Sequence, residues 1–233
     1  MRSPAVAVSA ALATGAAWSL PALAPLVPSL CRSLGIERTL PGGEPIVALT
    51  FDDGPHPQGT PAVLEALAAR GALATFFLVG EQVRRWPALA AEIAAAGHTL
   101  ALHGDRHRLL LRVPPRALAH DLDRGHATIA EATGVAPTLY RPPYGIFSPA
   151  GLALARRRGW RPLLWSRWGR DWRRWTTPAR IVAQVTEELA AGDVLLLHDA
   201  DHYSAAGSWQ RTAAALPLVL AEIERRGLRC TSL

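Results

Sequence analysis

From residue 45 onward, short apolar runs rich in β-branched and aromatic residues alternate with longer segments of helical periodicity. Near-continuous apolar runs, such as "VLLL" at 194–197, are typical of parallel strands covered by helices on both faces. About seven strand–helix units predict a parallel α/β sheet, either open and doubly wound or closed as a barrel. The predicted strands cover residues 46–51, 74–79, 98–102, 138–140, 161–165, 194–197 and 228–231.

Clear start and stop residues bound the helical segments. Three segments begin with a hydroxyl residue followed by proline, which predicts a capped N-terminus, and they end before a glycine. Each predicted helix lies between two predicted strands, as the crossovers of a parallel sheet require. The paired residues are Thr60-Pro61 with Gly71, Ser148-Pro149 with Gly159, and Thr177-Pro178 with Gly192; two more helices are predicted over 87–96 and 116–133.

The first 43 residues differ from the rest of the chain. Residues 3–31 carry no charged side chain, and residues 6–20 resemble the apolar core of a signal sequence. Three prolines within residues 21–28 interrupt any membrane-spanning helix of about 20 residues. Two interpretations stay open: a signal sequence or membrane anchor, with attachment through residues 5–30, or an apolar arm packed on the domain.

Length and composition bear on the number of domains and on the kinds of partner. Residues 44–233, about 190 residues, suit one domain better than two. The net charge is +6 and every basic residue is arginine, which we attribute to the overall bias toward alanine and arginine. The arginines at 156–158 suit a helix C-terminus, so no nucleic-acid binding is predicted. Cys31 and Cys230 lie at opposite ends of the chain and form no metal-binding cluster.

Polar side chains follow five of the predicted strands. The carboxyl ends of parallel strands meet at one rim, where α/β proteins place their functional residues. A single histidine after a strand is usually structural, but five polar positions on one rim predict a site. These residues are Asp52 and Asp53 after the first strand, His103 and His107 after the third, Arg141 after the fourth, Asp171 and Trp172 after the fifth, and His198 after the sixth.

The spacing of His103 and His107 is that of a common metal-binding pair, since residues i and i+4 can face one ion. With a carboxylate from another strand end, they form a set of two histidines and one acid with open positions for water. Such a set suits catalytic zinc, and it also matches non-haem iron oxygenases. Asp53 is the expected third ligand, because a bound cation relieves its repulsion with Asp52.

The remaining polar residues suggest proton carriers. Asp52 would act as general base on a metal-activated water. Arg141 would hold Asp52 ionised and oriented through a bidentate contact. His198 is the candidate general acid, and Asp171 would orient it and favour its charged form.

Five motifs carry a family resemblance: "TFDDGP" at 50–55, "HGDRH" at 103–107, "RPPYG" at 141–145, "RDW" at 170–172 and "LLH" at 196–198. With these motifs, residues 45–230 resemble the polysaccharide deacetylases with a NodB homology domain, carbohydrate esterase family 4. The resemblance implies a deformed (β/α)7 TIM-like barrel of parallel strands. It also implies a hydrolase that removes N-acetyl groups from a peptidoglycan- or chitin-like glycan with one divalent metal ion, commonly zinc, with cobalt possible.

The resemblance assigns the same roles to the acids, histidines and arginine named above, and it adds three residues. The backbone N–H of Tyr144 would join the metal in stabilising the tetrahedral oxyanion. Trp172 and Leu196 would form the apolar pocket for the acetyl methyl group. A glycan substrate of this kind favours the cell envelope, with the protein exported or anchored; a cytoplasmic location is the alternative.

Two residues depart from the family pattern. Gly104 stands where Ser or Thr usually follows the first histidine, which predicts a looser histidine pair. Trp168 stands where an acidic residue is common, which suggests a different substrate groove. These departures motivate one alternative function, a non-catalytic glycan-binding protein on the same fold. An iron oxygenase is a third possibility, without residues that suggest a 2-oxoacid site.

Two other groups of side chains are candidates for a functional site. The loop at 198–209 and the turn after the first motif supply candidate groove contacts and, in His202, a candidate extra ligand. A structural role is favoured for His56 and His202, whereas stacking on a sugar and packing beneath the loop are equally plausible for Tyr203 and Trp209. A group on the helix at 116–133 resembles a metal cluster, but it lies away from any strand end and is expected to form a solvated face. The first group is His56, His202, Tyr203 and Trp209, and the second is His120, Asp121, Asp123 and His126.

Overall fold

The computed structural model describes residues 20–233. Its centre is a parallel sheet in the order β5-β4-β3-β2-β1-β7-β6, with β8 beside the start of β1. No strand pairing joins β5 to β6 within those residues, so the barrel is open on one side. The predicted α/β fold, a deformed (β/α)7 barrel, is confirmed. The strands are β1 (Ile46–Asp52), β2 (Thr75–Leu78), β3 (Thr99–Leu102), β4 (Leu139–Tyr140), β5 (Arg161–Pro162), β6 (Arg167–Trp168), β7 (Val194–His198) and β8 (Arg229–Thr231).

Helices pack around the sheet and enclose its apolar side chains. Two of the predicted hydroxyl caps are present: Ser148 Oγ accepts a hydrogen bond from Gly151 N, and Thr177 Oγ1 accepts one from Arg180 N. The predicted cap at Thr60 is wrong, because that helix begins at Gly59 and the Thr60 hydroxyl donates to Asp199. The helices are α1 (Pro28–Ser33), α2 (Gly59–Ala68), α3 (Gly80–Arg85), α4 (Pro87–Ala95), α5 (Pro115–Thr133), α6 (Pro149–Arg157), α7 (Pro178–Thr186) and α8 (Ser208–Arg225).

The structure contains elements that the sequence pattern did not predict. The predicted strand at 161–165 ends at Pro162, and a separate short strand, β6, follows. Helix α3 is short, and α8 lacks the hydroxyl–proline start. Instead, α8 follows Gly207, whose φ is +73°, and it carries Pro217 in its interior. Neither feature is a usual marker of a helix.

Residues 36–40 lie across the open side of the barrel. Glu37 N donates to Pro162 O, Leu164 N donates to Glu37 O, and Leu40 N donates to Gly192 O. The backbone beyond β5 thus pairs with this N-terminal segment rather than with a strand, which explains the early end of β5. Ala24 and Cys31 are also buried against the core.

The predicted signal sequence or anchor falls largely on residues 1–19, which lie outside the described residues. None of the helices described in residues 20–233 has the length and hydropathy to cross a membrane. The two cysteines in that range, Cys31 and Cys230, keep free thiols.

Helix α5 approaches the loop of the second motif closely at Gly125. A Cβ atom added there would lie 2.7 Å from Asp105 N and 2.8 Å from the carbonyl carbon of Gly104. Backbone atoms of a buried loop cannot yield as a flexible side chain can. The absence of a side chain at Gly125 therefore lets α5 support the loop that carries His103 and His107.

We expect Gly125→Ala to destabilise the protein by about 1–3 kcal/mol, because the added methyl group overpacks this contact. Helix propensity alone predicts the opposite sign, since alanine is favoured over glycine inside a helix. Urea denaturation measures the free energy of unfolding. The control is Gly42→Ala, where no atom lies within 4 Å of an added Cβ. A Gly125→Ala protein as stable as the wild type would contradict the close contact.

Candidate active site

The site begins where β1 ends. Asp52 is the last residue of the strand, and Asp53 adopts φ +81°, in the left-handed region that non-glycine residues rarely occupy. Successive side chains of a strand point to opposite faces, so this turn is what lets two adjacent carboxylates serve one site. Both are about 3% exposed. Strained backbone of this kind is common at functional positions.

Arg141 crosses the barrel interior to reach Asp52. Its Nη1 lies 2.6 Å from Asp52 Oδ1 and 2.9 Å from Thr50 Oγ1, while Nη2 and Nε donate to the carbonyls of Leu164 and Leu163. The predicted bidentate contact is therefore wrong: one nitrogen binds the acid, because the others bind the backbone. In a flat sheet β4 and β1 would lie about 14 Å apart, so this contact requires the observed curvature.

Three side chains converge beside Asp52. His103 Nε2 lies 3.5 Å and His107 Nε2 3.3 Å from Asp53 Oδ1. That oxygen is buried and has no hydrogen-bond partner within residues 20–233. His103 Nδ1 donates to Arg141 O at 2.8 Å, so the lone pair of His103 is on Nε2. Lone pairs and a carboxylate oxygen repel unless positive charge lies between them, so the set Asp53, His103 and His107 fits a divalent cation.

The protonation states agree with this arrangement. Burial lowers the pKa of His107 to about 4, so its imidazole is neutral at pH 7, as a metal ligand must be. Burial alone would raise the pKa of Asp53, but positive charge on the facing imidazoles, the contact with His103 first and then the charge of His198, outweighs burial and holds that pKa well below its usual range. Asp53 is therefore ionised at any physiological pH.

His198 faces this set from β7 and has the opposite protonation state. Its Nδ1 lies 2.9 Å from Asp171 Oδ1, and its backbone N donates to Asp171 Oδ2. Thr212 also donates to that oxygen. Burial opposes the charge on His198, but Asp171, followed by Asp53 and Asp52, raises its pKa to about 10. The imidazolium is thus the stable form at neutral pH.

A cavity of about 220 Å³ joins these groups. Arg141 and Asp171 lie behind its wall, fully buried, while the other eight predicted site residues line it. The sequence did not assign Gly145, Trp165 or Ser204 to the site. Gly145 ends the third motif without a predicted role, whereas no motif marks Trp165 or Ser204. The lining residues are Asp52, Asp53, His103, His107, Tyr144, Gly145, Trp165, Trp168, Trp172, Leu196, His198, Tyr203 and Ser204.

Comparison with known proteins agrees with this geometry. The family model for polysaccharide deacetylases matches residues 39–163. The chain belongs to the polysaccharide deacetylase family. It is 35% identical to a peptidoglycan-N-acetylglucosamine deacetylase of Bacillus cereus over 192 residues, 82% of this chain and 87% of the relative. It is 36% identical to a chitooligosaccharide deacetylase of Bradyrhizobium sp. over 189 residues, 78% of this chain and 85% of the relative.

A solved structure resembles this chain over most of the length of both proteins. The crystal structure of a peptidoglycan N-acetylglucosamine deacetylase superposes with a TM-score of 0.81 at 28% identity, covering 88% of this chain and 94% of that chain. The family and the enzyme class predicted from the five motifs, a carbohydrate esterase of family 4 acting on N-acetyl amide bonds, are confirmed.

In this deacetylase, a carboxylate takes over the role of the missing hydroxyl at Gly104. Gly104 has φ +100°, and the next two backbone N–H groups, those of Asp105 and Arg106, point at Asp121 Oδ2, at 3.2 and 3.5 Å. The predicted solvated face is therefore wrong for Asp121, which is buried. His120 is exposed as predicted, Asp123 pairs with Arg158, and His126 stacks on Trp160.

The group around His56 lies at the rim of the deacetylase site. The ligand atoms of His56, Asp201 and His202 lie within 4.8 Å of one another. However, His56 Nδ1 accepts hydrogen bonds from Gln58 N and Gly59 N. The proton is then on Nε2, 3.3 Å from Asp201. His56 thus binds the start of α2 and Asp201, and it offers no lone pair to an ion.

We expect Asp171→Asn to lower the pKa of His198 by several units from about 10. The charge and hydrogen bond of Asp171 are the largest factors that raise this pKa, and their removal leaves burial to favour the neutral imidazole. NMR titration of the metal-free enzyme measures the effect. The His198 imidazole should stay charged at pH 8 in the wild type and be neutral in the variant. Equal titration curves would contradict the assignment.

Proposed function

We propose that this deacetylase is a metal-dependent hydrolase that removes N-acetyl groups from a peptidoglycan- or chitin-like glycan. One observation supports this proposal above the others: a buried oxygen of Asp53, without a hydrogen-bond partner in residues 20–233, faces two imidazole nitrogens beside Asp52, which Arg141 holds. Two imidazole nitrogens and an ionised acid are the donor set that zinc or cobalt takes. A divalent ion held by Asp53, His103 and His107 would polarise the acyl carbonyl and acidify water.

The chain's own residues supply the proton transfers. Asp52, fixed by Arg141, accepts a proton from the water whose oxygen bonds to the carbonyl carbon. His198, charged through its contact with Asp171, gives its proton to the leaving nitrogen as the C–N bond breaks. The products are acetate and a free amine. The two roles need opposite protonation states in one cavity, which the separate partners of Asp52 and His198 provide.

The walls of the cavity suit an acetyl group on a sugar. Trp172 and Leu196 line the cavity that Asp53, His103 and His107 also line, and we assign their apolar surface to the acetyl methyl group. Tyr144 stands in a turn with φ +61°, and we assign its backbone N–H to the oxyanion. Asp121 accounts for the stability of the Gly104 loop, which removes one reason for a non-catalytic glycan-binding protein.

The location follows from the substrate class. The relatives named above include a peptidoglycan deacetylase and a chitooligosaccharide deacetylase, and peptidoglycan is a polymer of the cell wall. We therefore propose that this enzyme acts in the cell envelope. Attachment through residues 5–30 is part of the same proposal.

The decisive variant is Asp52→Asn. We expect it to lower the rate of acetate release from chitooligosaccharides or peptidoglycan fragments by at least about 10²-fold, because the proton acceptor is lost, while zinc stays bound. In the wild type, a chelator should abolish acetate release, and zinc or cobalt should restore it.

Two controls complete this experiment. Asp53→Asn should lose zinc as well as activity, whereas Asp123→Asn, which alters a surface pair with Arg158, should change neither. Full activity in Asp52→Asn would contradict the base assignment. A wild-type enzyme that is active without any divalent metal would contradict the metal site.

A further inference from the structure

The two metal-binding histidines are not held in the same way. A ligand histidine usually donates its second ring nitrogen to a carbonyl or carboxylate, which fixes the orientation of the ring. His103 does so, with Nδ1 donating to Arg141 O at 2.8 Å. His107 Nδ1 is buried, and among residues 20–233 it has no hydrogen-bond partner. Something else must therefore keep His107 Nε2 directed at Asp53.

Two aromatic rings enclose the His107 imidazole. The Tyr203 ring lies parallel to it, with a centroid distance of 4.3 Å and an interplanar angle of 9°. The Tyr144 ring meets it edge-on, at 4.5 Å and 71°. Rotation of the imidazole about its χ2 angle would drive its edge into the face of Tyr203. The stacked ring thus restricts the rotation that a hydrogen bond at Nδ1 would otherwise prevent.

Tyr203 is itself fixed at its hydroxyl. The hydroxyl donates to Glu81 Oε1 at 2.6 Å and accepts from Gln82 Nε2 at 2.9 Å. Both partners belong to α3, whose first two N–H groups donate to Gly104 O and Asp105 O. The ring is therefore anchored to the same loop that carries both histidines.

We propose that Tyr203 is a positioning residue for the metal site: its ring, stacked on His107, holds Nε2 toward Asp53 in place of the missing hydrogen bond at Nδ1. This inference rests on the metal site of the proposed function. It also gives the loop between β7 and α8 a role in metal binding without a ligand of its own. The flat face of the Tyr203 ring restricts the rotation of His107, and the hydroxyl holds the ring in place.

The test compares two substitutions at one position. Tyr203→Leu removes the flat ring, and we expect its zinc affinity to fall about tenfold, within the range seen when the supporting partners of metal ligands are lost. Tyr203→Phe keeps the ring, and its zinc affinity should stay within about twofold of the wild type. Competition with a chromophoric chelator measures the affinity of the full chain for zinc. The visible absorption of the cobalt-loaded proteins gives a second readout of ligand geometry.

A matched control and a stability measurement separate positioning from folding. Trp209→Leu removes a ring that contacts His56 rather than a metal ligand, and its zinc affinity should be unchanged. The melting temperatures of the metal-free proteins show whether each variant folds. Tyr203→Met, of similar volume and without a rigid ring, replaces the leucine variant if that protein does not fold.

The outcomes are distinct. Weaker zinc binding in the leucine or methionine variant alone supports the proposal. Wild-type affinity in that variant overturns it, as does an equal loss in Tyr203→Phe, which would transfer the effect to the hydroxyl. A wild-type protein that binds no zinc or cobalt would overturn the metal site itself, and with it the proposed function.

Discussion

The buried ion pair between Arg141 and Asp52 is the interaction on which the rest of the site depends. A fully buried guanidinium is costly unless its donors are used, and here four of its five N–H groups bind one acid, one hydroxyl and two carbonyls. The backbone carbonyl of Arg141 also accepts the hydrogen bond from His103. One residue thus fixes the proposed base, orients a proposed metal ligand and holds opposite parts of the curled sheet together.

The same cavity stabilises opposite protonation states through local surroundings. His107 is neutral because it is buried and its Nδ1 has no acidic partner in the part of the chain that the structure describes, whereas His198 is charged because Asp171 lies behind it. The adjacent acids also differ in their partners, since Asp52 pairs with an arginine whereas Asp53 faces imidazoles. Such a division of partners lets similar side chains act as ligand, base and acid at one pH.

The sequence predicted the features that are encoded locally. Apolar runs predicted the long strands, and the motif residues at strand ends predicted which side chains meet. The short strand β6 depends on pairing with distant residues, and α8 begins after a glycine and contains a proline, so neither has a local pattern. Asp121, Trp165 and Tyr203 gain their roles from curvature and loop packing. Arg141 binds Asp52 through one nitrogen only, because backbone carbonyls far away in sequence accept hydrogen bonds from its other two nitrogens.

In the proposed metal site, Asp53, His103 and His107 hold one ion while Asp52 stays unligated. X-ray absorption at the zinc edge of the zinc-loaded enzyme measures these ligands. We expect two imidazole nitrogens and at least one oxygen at about 2.0–2.2 Å, and no sulfur. A spectrum with fewer than two imidazoles, or with a thiolate ligand, would contradict this ligand set.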